Sequence, residues 1–155
     1  MASARHLHFS MNRATPQMRD LAARLIAVEA KTNKPSEPIA PAAFHVCERL
    51  RPHLATLMGQ GGFRAVLARA LTVAGAEIPP LVALQVKPDG SLEGWDKPEL
   101  QIKPKELAEG GIVLVAHLLG LLVAFIGENL TLSLVRDVWP KLPLNDFNFT
   151  EGDHS

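Results

Sequence analysis

Tyrosine is absent from this chain, and its remaining aromatics are six phenylalanines and two tryptophans. So few rings disfavour an all-β sandwich, whose strands favour aromatic and β-branched residues. They also leave little surface on which the bases of a single-stranded nucleic acid could stack. The core must therefore be aliphatic. Cysteine occurs once, as Cys47, so neither an internal disulfide nor a paired-cysteine metal site can form. A single thiol fits a reducing compartment, and the expected setting is a bacterial-type cytoplasm. The opening segment, MASARHLHFSMNRAT, lacks the apolar run of a secretory signal, so no export is expected.

An excess of one charge is missing too. Sixteen Lys and Arg balance sixteen Asp and Glu over the 155 residues. The balance is uneven along the chain: residues 1–35 carry six basic against two acidic residues, and residues 141–155 carry one against three. A basic head and an acidic tail of this size read as solvated surface, which disfavours nucleic acid as a partner. With 47% apolar and 21% charged residues the chain is too hydrophobic to be disordered, and it is long enough to bury a core of its own.

Helical signals dominate what is present. Thr15 and Pro16 read as the cap and first residue of a helix whose apolar arc is Met18, Leu21, Ala22, Leu25, Ile26 and Val28. The proline-rich KTNKPSEPIAP reads as a linker. A second helix is expected from about Pro41 to Met58, burying Phe44, Cys47, Leu50, Leu54, Leu57 and Met58, with a kink at Pro52 and with Arg51 oddly inside its apolar arc. The run Gly59-Gln60-Gly61-Gly62 then separates it from a third helix lined by Phe63, Val66, Leu67, Ala70, Leu71, Val73 and Ala74, for which Gly75 is a natural stop. Two apolar stretches around Pro88-Asp89-Gly90 predict a short β-hairpin, LVALQV against Leu92 to Trp95. An irregular stretch with a helical turn near residues 105–109 follows.

The strongest signal is a helix expected over residues 112–139. Between Gly110 and Gly127 its only polar side chain is His117, which meets the length of a membrane span. Beyond Gly127 the pattern turns amphipathic, with Asn129, Ser133, Arg136 and Asp137 on one stripe. That change favours a buried central helix emerging from a bundle over an oligomeric seam or a membrane helix. Ala116, Gly120 and Ala124 recur at every fourth residue, which permits close approach of another helix.

These signals predict a mainly α domain: four to five helices bundled around a central apolar helix, with a small β-hairpin insertion. The expected divisions are a basic tail over 1–14, a helical domain over 15–140 with its hairpin and irregular insertion at about 81–104, and an extended tail over 141–155. In that tail Phe147 and Phe149 are candidate contact residues, alongside Ala116, Gly120 and Ala124.

Chemistry-bearing patterns are sparse. The sequence holds no GxSxG, HExxH or GxGxxG motif and no repeat. His6 and His8 form an HxH pair, whereas His45 and His53 are wrongly spaced for a zinc helix, so no metal site and no cofactor are expected. His117 and Glu128 share a helix face roughly three turns, about 16 Å, apart, and each needs a partner from elsewhere. Gly61 and Gly62 before Arg64 could cradle an anion, but the P-loop Lys-Ser/Thr is missing. The leading expectation is a non-catalytic interaction or regulatory module, whose partner is another protein or a second copy. The alternatives are a small-molecule pocket or small enzyme built on His117, Glu128, Arg64, Gly61 and Gly62, and membrane association through the long helix.

Overall fold

The computed structural model describes residues 15–32, 40–94, 103–142 and 144. Four α-helices occur among them: α1 (Pro16–Thr32), α2 (Ala40–Glu77), α3 (Pro104–Ile126) and α4 (Glu128–Val138). A short 3-10 helix (Pro79–Ala83) and an antiparallel hairpin of β1 (Gln85–Val86) with β2 (Leu92–Glu93) lie between α2 and α3. The fold is mainly α with a small hairpin, and the apolar α3 is its centre, packed against α1, α2 and α4.

Helix α1 starts where its cap directs. The Thr15 hydroxyl accepts the backbone N–H of Met18 at 3.2 Å, occupying one of the donors that a helix start leaves open. Leu21, Ala22, Leu25 and Ile26 are buried as their periodicity requires.

Helix α2 departs from the pattern read in the sequence. The helix is continuous from Ala40 to Glu77 apart from one residue, Gly59, at φ 82 and ψ 158, and its helical dihedrals hold through Pro52. Pro52 lies on the exposed side, where water can bond the carbonyl that its missing N–H leaves unpaired. The break falls instead at Gly59, in a region of backbone space that only glycine occupies without strain. The break thus falls on the first residue of the Gly59–Gly62 run, where the sequence separates two helices; Gly61 and Gly62 already belong to the second limb, and Gly75 does not stop it.

Helix α3 begins at Pro104, ahead of the apolar run, and ends sooner than its hydrophobicity suggests. Gly127, at φ 92 and ψ 159, separates it from α4, so the single helix expected over 112–139 is two. The break lets α4 leave the axis of α3 and turn its own apolar side, Leu132, Leu134, Val135 and Val138, to the core. Thr131, fully buried, donates its hydroxyl to the Gly127 carbonyl at 2.7 Å across the joint. Residues 113–119 are buried without exception. Helix α3 is long and apolar enough to cross a membrane by length and composition, and this protein's own helices enclose its first half.

Close approach explains the small residues of α3. A Cβ on Gly111 would come within 2.8 Å of the Ala43 Cβ in α2, and one on Gly120 within 2.9 Å of the Met18 sulfur in α1. The Ala116–Gly120 stripe therefore admits helices of the same chain, while Ala124, at the far end of the stripe, is exposed.

The hairpin is shorter than its sequence signal. Leu81 to Ala83 belong to the 3-10 helix, where Pro79 and Pro80 suit a helical start better than a strand. Its turn forms as expected: Gly90 takes φ 91, and the Asp89 carboxylate accepts the N–H and hydroxyl of Ser91 at 2.9 and 2.7 Å. Those bonds hold the Asp89 carboxyl below the usual carboxylate range. Arg51, the basic residue inside an apolar arc, donates to the Asp89 carbonyl at 2.9 Å and pairs with Glu48, thereby latching the hairpin to α2. Leu142 packs on the core and Leu144 is buried, so the chain beyond α4 starts along the domain surface. The basic tail over 1–14, with its HxH pair, the linker at 33–39, Trp95, and Phe147 and Phe149 fall outside the described residues.

Candidate functional site

The residues proposed from sequence for a ligand site are not brought together. His117 lies on α3 beside the C-terminal end of α2, where its Nε2–H donates to Glu77 at 2.5 Å. Arg64 is exposed on the second limb of α2, thirteen residues before Glu77, which is about 20 Å along a helix. Glu128 stands in the first turn of α4, on the far side of the Gly127 break, where a carboxylate favours the positive end of the helix dipole. Gly61 has open space around its Cβ position, and a Cβ on Gly62 would meet only the Met58 side chain, so no described residue converges on them with His117 or Glu128.

Two polar clusters absent from the sequence reading stand instead at the helix junctions. In the first, Glu77 accepts from His117 and from Arg19, joining α1, α2 and α3. His117 is nearly enclosed, and the carboxylate orients its ring as a structural partner would. In the second, Glu29 is only 5% exposed and accepts the indole N–H of Trp139 at 2.8 Å. Arg49 approaches the same carboxylate at 3.3 Å, donates to the Val138 carbonyl at 2.8 Å and lies 5.8 Å from the Trp139 ring centroid. This cluster joins α1, α2 and the C-terminal end of α4. Glu29 could have been suspected from its place on the buried arc of α1, one turn beyond Leu25, because a buried carboxylate demands a donor. Glu77 carried no such signal, since Gly75 masks the helical continuation that places it.

Two open grooves mark the described surface. One, of 930 Å³, lies over the Glu29–Arg49–Trp139 cluster. The other, of 420 Å³, runs between α2 and α4 and is lined by Leu57, Leu130, His53 and Asp137 among others. Leu57, expected on the buried side of the second helix, is instead 50% exposed where the first limb of α2 runs out before the Gly59 break, and Leu130 is 45% exposed, although both are large and apolar.

No family model, curated protein or solved structure matches this chain. Among the described residues no three His, Cys, Asp or Glu side chains converge as metal ligands would, and no buried side-chain nitrogen or oxygen lacks a hydrogen-bond partner. Among the described residues, then, every buried side-chain polar atom is already paired within the protein. Cys47 is buried among aliphatic residues, and burial pushes its thiol up to about 12, far from a nucleophile's range. What the described surface offers is grooves and apolar side chains.

Proposed function

We propose that this protein is a helical interaction module that pairs with a second copy of itself through the face between α2 and α4. The observation that carries this reading is the pair Leu57 and Leu130, two large apolar residues about half exposed on either side of one groove. Isolated exposed leucines are ordinary, but two that share a concave surface define a patch whose burial is favourable. The patch carries His53 on the α2 side and Asp137 on the α4 side, so a two-fold arrangement would oppose each imidazole to the other copy's carboxylate.

Light scattering on the full-length chain tests the proposal. A dimer is expected that dissociates when both Leu57→Asp and Leu130→Asp are introduced, while the helical circular dichroism spectrum is retained. A wild-type protein that stays monomeric at every concentration would refute self-association. A monomer that captures a distinct protein through the same two leucines would transfer the face to that partner.

A further inference from the structure

The larger groove shares no residue with the α2–α4 face and has a different chemistry. Its floor is apolar and includes Val28, Val138, Trp139 and Leu142, contributed by α1, the end of α4 and the segment after it. Four cationic residues also line it, Arg24, Lys31, Arg49 and Lys141, and among the described residues no acidic one does. Two of these charges are offset nearby: Arg24 pairs with Asp20 at 2.9 Å, and Arg49 with the buried Glu29. Lys31 and Lys141, both exposed, provide the net positive charge.

The floor is also held in place. Trp139 is fixed by its indole N–H on Glu29 and by the Arg49 guanidinium, and Arg49 is itself tied to the Val138 carbonyl. Trp139 and Val138 are only 4% and 7% exposed, so they form the fixed base of the groove beneath the half-buried Val28 and Leu142, and a floor already ordered spends little conformational entropy on binding. A volume of 930 Å³ with mostly apolar walls and a few charges of one sign suits a single small amphiphile.

We infer that this groove binds an amphipathic organic anion of the long-chain carboxylate class, its tail lying along Val28, Val138, Trp139 and Leu142 and its head paired with Lys31 and Lys141. Charge complementarity selects the head group, and the apolar floor selects the tail. A short anion lacks the contact area, and a cationic amphiphile of equal length meets repulsion at the rim.

Calorimetric titration of the full-length protein with decanoate, below the concentration at which decanoate aggregates, tests the inference. Saturable binding at one site per chain is expected. Acetate should give no measurable heat, and decyltrimethylammonium should bind at least about tenfold more weakly. The double variant Lys31→Glu with Lys141→Glu should lose about tenfold or more in decanoate affinity, at an unchanged melting temperature. Ala27→Trp, which fills the groove from an exposed position on α1, should abolish binding while leaving the core alone. Equal affinity for the cationic amphiphile, full affinity in the charge-reversed protein, or no saturation by decanoate would each overturn the inference. So would saturation of the groove by an acidic, phenylalanine-bearing peptide when decanoate fails to bind. A failed titration leaves the self-association reading intact, since Leu57 and Leu130 lie on a separate surface.

Discussion

Cys47 and Trp139 are equally buried, and a hydrogen-bond partner is what separates the inert group from the structural anchor. The Cys47 thiol, pushed up to about 12 from the ordinary value of 9.0, keeps its proton in the folded protein at any physiological pH. It should resist a thiol-specific reagent such as Ellman's in mildly alkaline native buffer and react completely once guanidinium unfolds the chain. Slow reaction at the rate of global unfolding is consistent with this; rapid native-state labelling is not. The linkage also has a definite sign. Between pH 9.0 and about 12 the unfolded chain releases the thiol proton that the folded chain retains, so the thiol's contribution makes stability fall as pH rises through that window. Trp139 differs because its polar edge is used. Replacing it with phenylalanine removes the N–H that Glu29 accepts and leaves a buried carboxylate one donor short. Trp139→Phe should cost about 1–3 kcal/mol in urea unfolding, although the smaller ring still covers part of the same surface.

The α2 helix contains a comparison between glycines that isolates backbone strain from packing. Gly59 and Gly61 both have open space where a Cβ would be placed, so neither substitution to alanine meets a steric neighbour. Their backbones differ: Gly59 sits at φ 82 and ψ 158, whereas Gly61 is helical. Gly59→Ala is therefore expected to destabilise by about 1–3 kcal/mol, and Gly61→Ala to stabilise by about 0.5–1 kcal/mol through the entropy of the unfolded chain and helix propensity. Chemical denaturation of the two variants reads this directly, and equal effects of the same sign would show that the break at Gly59 does not persist in solution. The same logic applies to the joint between α3 and α4. An apolar pattern that runs through Gly127 reads as one helix, because periodicity records which side chains are buried and carries no information on whether the axis is straight. The positive φ at Gly127 was legible only as a glycine, one of several in the chain, and Thr131 closing on its carbonyl is a contact that no pattern displays.

The entire domain is organised on α3, and its stability should be most sensitive there. Leu118, Leu119 and Leu122 are fully buried, so Leu118→Ala removes apolar contacts on several sides and leaves a cavity. A loss of about 2–5 kcal/mol is expected, measured by thermal or urea unfolding, whereas Phe125→Ala, at a side chain 62% exposed near the end of the same helix, should change stability little. If the two substitutions were equally mild, the enclosure of α3 by α1, α2 and α4 would be wrong.

Composition and periodicity were sufficient to determine a mainly α domain with an aliphatic core, a capped α1, an Asp-Gly turn and a central helix around Leu118. Each of these depends on neighbours within a turn or two, and local spacing encodes them. Only the tertiary structure decided which polar groups meet. Glu29 and Trp139 are 110 residues apart in the chain, and His117 and Glu77 are 40 apart. The same holds for the failure of His117, Glu128 and Arg64 to converge, and for the gathering of Lys31 and Lys141 on one groove. Such pairings follow from where helix ends come to rest after packing, and that depends on the breaks at Gly59 and Gly127 and on the close contacts at Gly111 and Gly120. Helix spacing constrains one axis at a time; the relative placement of several axes is the sum of all the interhelical contacts, and it exists only once they have formed.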